Sequence, residues 1–71
     1  MSPEKMEQMK RQYAGKRVQV DARRPELTRF AGQIGRVAAV NYNGRALVQF
    51  EGPDPSWYDI HPEFIKLEPS P

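Results

Sequence analysis

The sequence predicts a mainly β fold: five short strands closing into a small barrel, with one short helix in front and a single helical turn before the last strand. Three observations carry this expectation. After Lys16, apolar and polar residues alternate in short runs, the period of a half-buried strand. Turn-forming residues separate those runs at close intervals, Asn43-Gly44, Gly52-Pro53 and Pro55 above all. A chain of 71 residues, 38% hydrophobic and 28% charged, makes one domain with a thin core. Folding at this size removes only about 60% of the unfolded surface from water, so most large apolar side chains are expected to pack. Closure into a barrel is expected because it limits open sheet edges.

The helix comes first, over residues 3 to 14. Ser2 suits the cap, Pro3 the first helical position, Glu4 the positive end of the helix dipole and Gly15 the stop. Met6, Met9 and Tyr13 form a narrow apolar stripe on it. A helix this short is marginal alone in water, where roughly 12–15 residues are the lower limit, so the stripe must cover something.

Arg17-Val18-Gln19-Val20-Asp21 then alternates as a first strand, and residues 22–31, with Pro25 among them, carry no sustained period and read as a long loop. Gly32 and Gly35 bracket the start of a second strand that runs to about Asn41. Asn43-Gly44 predicts a two-residue type I′ hairpin, which needs positive φ at both positions. That turn sets Val40 opposite Leu47, Ala39 opposite Val48, Val37 opposite Phe50 and Arg36 opposite Glu51. Val37, Ala39, Val48 and Phe50 then line the inner wall, and Arg36 pairs with Glu51 outside. Val40, Leu47 and Tyr42 fall on the outer face as a patch for the helix stripe to cover; left open, the patch would mark a dimer or ligand surface.

Trp57-Tyr58-Asp59-Ile60 reads as a fourth strand, with Tyr58 and Ile60 on one face and Trp57 and Asp59 on the other. Trp57 is expected to pack under the helix beside Leu47, the alternative being an exposed binding anchor. Pro62-Glu63-Phe64 suits one tight helical turn and Ile65-Lys66-Leu67 a fifth strand. The expected organisation is a helix over 1–15, a barrel over 16–68 and a disordered tail over 69–71.

Several functions are excluded by what the residues lack. Without cysteine there is no disulfide, thiolate metal site or thiol nucleophile, which fits a reducing compartment. No apolar run approaches the roughly 20 residues that span a bilayer, and the polar start lacks a signal peptide's apolar stretch. A soluble, cytoplasmic protein with no membrane association is expected. Asp59 and His61 offer two metal ligands where a zinc site needs at least three. A triad of Ser56, His61 and Asp59 fails because near neighbours along one strand point apart. Gly32 and Gly35 are too sparse for a phosphate-binding loop. No metal, cofactor or catalytic residue is therefore expected, and the chain reads as non-enzymatic.

Phe30-Ala31-Gly32-Gln33-Ile34-Gly35-Arg36-Val37 resembles the F-x-G-x-x-G-x-V core of KOW modules. Phe50-Glu51-Gly52, Trp57-Tyr58-Asp59-Ile60 and Phe64-Ile65-Lys66-Leu67 resemble the second half of Tudor-type SH3-like barrels. The resemblance spans residues 16–68 and implies a five-stranded SH3-like barrel. KOW modules touch RNA or protein, and Tudor-like modules read methylated lysine or arginine with an aromatic cage, so the resemblance implies a binding role without choosing the partner. The layout is also similar to the small SH3-like subunit of the photosynthetic NADH-dehydrogenase-like complex, which receives acidic ferredoxin.

Charge narrows the choice. Residues 1–50 hold ten Lys/Arg and four Asp/Glu, whereas residues 51–71 hold one Lys and five acids. Arg23, Arg24 and Arg29 fall in the long loop and Arg45 at the hairpin tip, and in a closed barrel they are expected to converge on one edge. Arginine is the usual choice for a two-pronged grip on phosphate or carboxylate. Tyr42 and Phe30 nearby would offer a stacking face for single-stranded nucleic acid. The expected function is a binding module for an anionic partner: RNA or DNA, a ribonucleoprotein, or an acidic protein surface. The alternative is a protein adaptor or accessory subunit using the outer sheet face, with Trp57, Leu47 and Tyr42. A merely solvated loop also accounts for the charge, and the oligomeric state stays open.

Overall fold

A computed structural model describes residues 2–68. Helix α1 spans Pro3–Tyr13, and the Ser2 hydroxyl oxygen accepts from the Lys5 amide at 3.2 Å to cap it. Gly15, with φ of +77°, ends the helix in a conformation that side chains with a Cβ avoid. Its amide donates to the Val37 carbonyl at 2.8 Å, tying the helix stop to the sheet. The strands are β1 (Arg17–Val20), β2 (Gly35–Val40), β3 (Ala46–Phe50), β4 (Trp57–Ile60) and β5 (Ile65–Leu67).

All five form one antiparallel sheet in the order β4-β3-β2-β1-β5. Each of the first four pairs with its neighbour in sequence, and the last returns to the free side of β1. A 3-10 turn at Pro62–Phe64 makes that return, capped by His61, whose Nδ1 accepts from the Glu63 amide at 3.1 Å. The mainly β fold, the N-terminal helix and the helical turn before the last strand are as the sequence predicts. The tail expected to be disordered at residues 69–71 lies outside the described residues.

Residues 22–31 differ from the expected irregular loop, because Pro25–Phe30 forms a 3-10 helix. Proline fits its first position, where no amide is needed, and three residues per turn align Leu27 with Phe30. Both side chains are buried in the core. The Thr28 hydroxyl donates to the Ala22 and Arg24 carbonyls at 3.0 and 3.1 Å, fastening the helix to its own approach.

The hairpin register also differs from the two-residue turn. Asn43 does not take positive φ; Gly44 alone in the turn does, at +75°. The Asn41 side-chain oxygen accepts from both the Asn43 and Arg45 amides at 3.0 Å, and the Gly44 amide donates to the Asn41 carbonyl at 3.0 Å. This is a three-residue loop, a type I turn followed by a left-handed glycine. Val40 therefore faces Ala46 and Ala39 faces Leu47, and a bulge between Val37 and Ala39 moves the rest once more, so that Val37 faces Val48 and Gly35 faces Phe50. Arg36 meets Gln49, and Glu51 pairs with Arg17 at 3.4 Å instead.

The bulge has a second consequence. It turns Val40 inward, where it is buried, and leaves Ala39 only half-buried. Helix α1 packs on β2 with Met6 buried and Tyr13 against the core, while Tyr42 stays 86% exposed. The expected patch of Val40, Leu47 and Tyr42 thus does not exist as one surface. Trp57 does not pack under the helix either: it is 58% exposed, on the face shared with Asp59.

The core joins Val18, Val37, Ala46, Val48, Phe50 and Ile60 of the sheet to Leu27 and Phe30 of the 3-10 helix. Phe30 stacks on Phe50 with ring centres 4.1 Å apart, and Tyr58 meets Phe30 edge-on at 4.8 Å.

Candidate functional site

The four arginines engage four different groups. Arg23 grips Asp21 with two prongs, Nε to Oδ1 at 2.9 Å and Nη2 to Oδ2 at 3.1 Å. The Arg23 side chain is nonetheless 91% exposed. Hydrogen bonds from the Arg23 side chain, and then from its backbone amide, hold the Asp21 carboxyl below its ordinary pKa. Arg24 pairs with Glu26 at 3.3 Å while its guanidinium lies 4.3 Å above the Phe64 ring. Arg29 stacks 4.7 Å from Phe30 and 5.0 Å from Tyr58. Arg45 sits 3.6 Å from Asp59, which also accepts from the Asn41 amide nitrogen at 2.7 Å.

Three surface hollows give these groups their surroundings. One of about 350 Å³ lies between β1 and β5, with Arg23 and Lys66 on its walls beside Gln19, Asp21, Glu63 and Phe64. A second, of about 310 Å³, is floored by Phe30, Phe50 and Tyr58 and rimmed by Arg29, Gln33 and Asp54. Tyr42 lines a third with Pro3, Met6, Glu7 and Lys10 of α1. Tyr42 is therefore presented beside the helix, and the buried Phe30 serves the core in place of a stacking face.

The second hollow is braced by a latch. The Tyr58 hydroxyl donates to Asp54 Oδ2 at 2.6 Å and the Ser56 amide to Asp54 Oδ1 at 2.9 Å. The Tyr58 bond first, and the Ser56 bonds next, lower the Asp54 carboxyl from 3.8 to about 2. The same bond to Asp54 raises the Tyr58 hydroxyl. A depressed carboxyl pKa adds stability that is fully present above the unfolded value and disappears as pH falls through the folded one. The melting-temperature advantage of the native chain over Asp54→Asn is accordingly expected to shrink between about pH 4 and pH 2, as read by thermal melts across that range. An advantage that stays constant down to pH 2 would contradict the latch.

The outer sheet face carries a row that sequence reasoning missed. Arg17 faces Arg36, Arg36 faces Gln49 and Gln49 faces Trp57, so the four side chains follow one another across β1, β2, β3 and β4. Leu47 lies two pairs along on the same face, opposite Asp59, and is half-buried. The missing signal is the register between β1 and β2, which a long connection leaves unmarked.

Among the described residues no three His, Cys, Asp or Glu side chains gather as a metal site requires, and no helix is long and apolar enough to cross a membrane. No family model matches this chain, and neither a curated protein nor a solved structure does.

Proposed function

We propose that the protein is a non-enzymatic cytoplasmic binding module on an SH3-like barrel, which engages an anionic partner, nucleic acid first, through Arg23, Arg24, Arg29 and Arg45. The return of β5 to β1 across a 3-10 turn supports the barrel reading. The observation that carries the binding reading is the hollow lined by the exposed Arg23 and Lys66, whose acids are Asp21, held by Arg23, and Glu63. Stacking on Phe64 and on Phe30 and Tyr58 adds to it, since guanidiniums held on rings lose less freedom on gripping a phosphate. The carboxylates that hold these arginines, the partly exposed Asp21 and the exposed Glu26 and Asp59, form ion pairs at the surface, where water weakens such pairs and a phosphate displaces them.

Anisotropy of a labelled single-stranded RNA tests this reading. Arg23→Gln with Arg24→Gln is expected to weaken binding about tenfold or more while circular dichroism stays native. Unchanged affinity overturns the loop reading, and binding of polyglutamate without RNA binding assigns the loop to an acidic protein. A second reading, a protein adaptor, is favoured by the exposed Trp57 on the outer face beside Leu47.

A further inference from the structure

We infer that the outward face of the sheet is a platform for single-stranded nucleic acid, with a base stacked on the Trp57 indole and phosphates held by Arg36 and Arg17. None of the loop arginines belongs to this row; Arg45 touches its edge only through Asp59.

The two arginines supply the charge. Arg17 and Arg36 are direct cross-strand partners, both exposed, and like charges in that position destabilise a sheet. Glu51 reaches Arg17 at 3.4 Å, while Arg36 has no ion-pair partner among the described residues. An anion lying across the pair removes the repulsion. Two acids adjoin the row: Glu51 is paired with Arg17, and Asp59 accepts from the Asn41 side-chain amide at 2.7 Å, so neither carboxylate faces such a ligand without a partner.

Trp57 supplies the stacking surface. Phe30 and Phe50 are buried, Tyr13, Tyr58 and Phe64 pack on the core and the exposed Tyr42 stands beside α1, so Trp57 is the aromatic left open on this face. Gln49 presents it firmly: its amide nitrogen donates to the Pro55 carbonyl at 2.7 Å and pins the segment leading into β4. That leaves the amide oxygen of Gln49 to accept from a base edge. Adjacent strands lie about 4.8 Å apart, so the backbones of Arg36 and Trp57 are about 10 Å apart, a span that long side chains bridge easily. An acidic peptide would use the arginines and leave the flat indole without a matching surface. A nucleotide chain supplies both a charged backbone and a π face, and only a single strand exposes that face.

Trp57 is the sole tryptophan, so indole fluorescence reads stacking directly. Ten-nucleotide oligouridylate titrated into the full chain between 50 and 200 mM salt is expected to quench it. The plot of log K against log salt is expected to have a slope of about −1.4, that is about −0.7 for each of two phosphates. Arg36→Gln is expected to bring the slope to about −0.7, and Glu51→Gln, by freeing Arg17, to tighten binding. With a labelled oligonucleotide, Trp57→Ala is expected to weaken binding about tenfold and Trp57→Phe much less. The three altered residues are exposed, and native circular dichroism checks each variant. No quenching at 50 mM salt overturns the inference, as does binding indifferent to both Arg36→Gln and Trp57→Ala. Equal quenching by polyglutamate overturns it in favour of an acidic protein, and equal binding of a duplex overturns the single-strand assignment.

Discussion

Phe30→Ala is expected to cost about 3–5 kcal/mol and to leave a large fraction of molecules unfolded at room temperature. At about 0.05–0.15 kcal/mol per residue, a chain this short has only about 4–10 kcal/mol of stability in all. Phe30 holds three parts of the molecule together: it belongs to the 3-10 helix, stacks on Phe50 of β3 at 4.1 Å and meets Tyr58 of β4 edge-on at 4.8 Å. Its loss removes the transfer energy, the two aromatic contacts and the seat on which Arg29 rests. Urea denaturation followed by circular dichroism measures the loss. Phe30→Leu, which keeps most of the volume, is expected to retain a cooperative transition. A cost below about 1 kcal/mol for the alanine variant would show that the 3-10 helix is not part of the folded core.

Gly35→Ala is expected to destabilise by about 2–3 kcal/mol, although it adds a single methyl group. A Cβ at this position would lie 2.5 Å from Val48 Cγ1 and 3.2 Å from two carbons of the Phe50 ring. Val48 cannot yield, because it is fully buried and a β-branched side chain has little freedom at χ1. Gly35 pairs with Phe50 at the start of β2 and with Val18 of β1, so the strain falls where three strands meet. At about 4–8 °C of melting temperature per kcal/mol for a domain of this size, the variant is expected to melt about 10–20 °C lower. A melt within about 2 °C of the native chain would contradict the close approach.

Much of the fold is legible in the residues because the local signals are unambiguous. Ser2, Pro3 and Gly15 bound the helix, and the alternation in Trp57-Tyr58-Asp59-Ile60 assigns its faces correctly, with Ile60 buried and Trp57 outward. Pro62-Glu63-Phe64 announces its own turn. The hairpin is less legible, since Asn43-Gly44 suits a two-residue loop as well as the longer one. The side chain of Asn41, by accepting from two amides, decides between them. Ala38-Ala39 gives no parity signal, so the bulge that turns Val40 inward leaves no mark in the pattern. The 3-10 helix is missed because its period of three falls between the two periods by which strands and helices are read.

The candidate site is legible in a similar, partial way. Charge and loop position mark Arg23, Arg24, Arg29 and Arg45, but not the separate partners that each one finds. The pairing of Arg17 with Arg36 depends on a register set across the connection over residues 21–34 by core packing, with Val18 and Val37 both buried, rather than by a turn. Trp57 is misplaced for a physical reason: the helix follows the inward-turned end of β2 and leaves the outer face of β4 open.

Whether this protein holds phosphate is tested most directly by a titration of the isotope-labelled chain with single-stranded RNA at two salt concentrations. Amide shifts are expected at Arg23–Arg29 and Arg45 for the loop, and at Arg36, Gln49 and the Trp57 indole for the sheet face, all weakening steeply as salt rises. A spectrum that does not change at low salt would contradict phosphate binding.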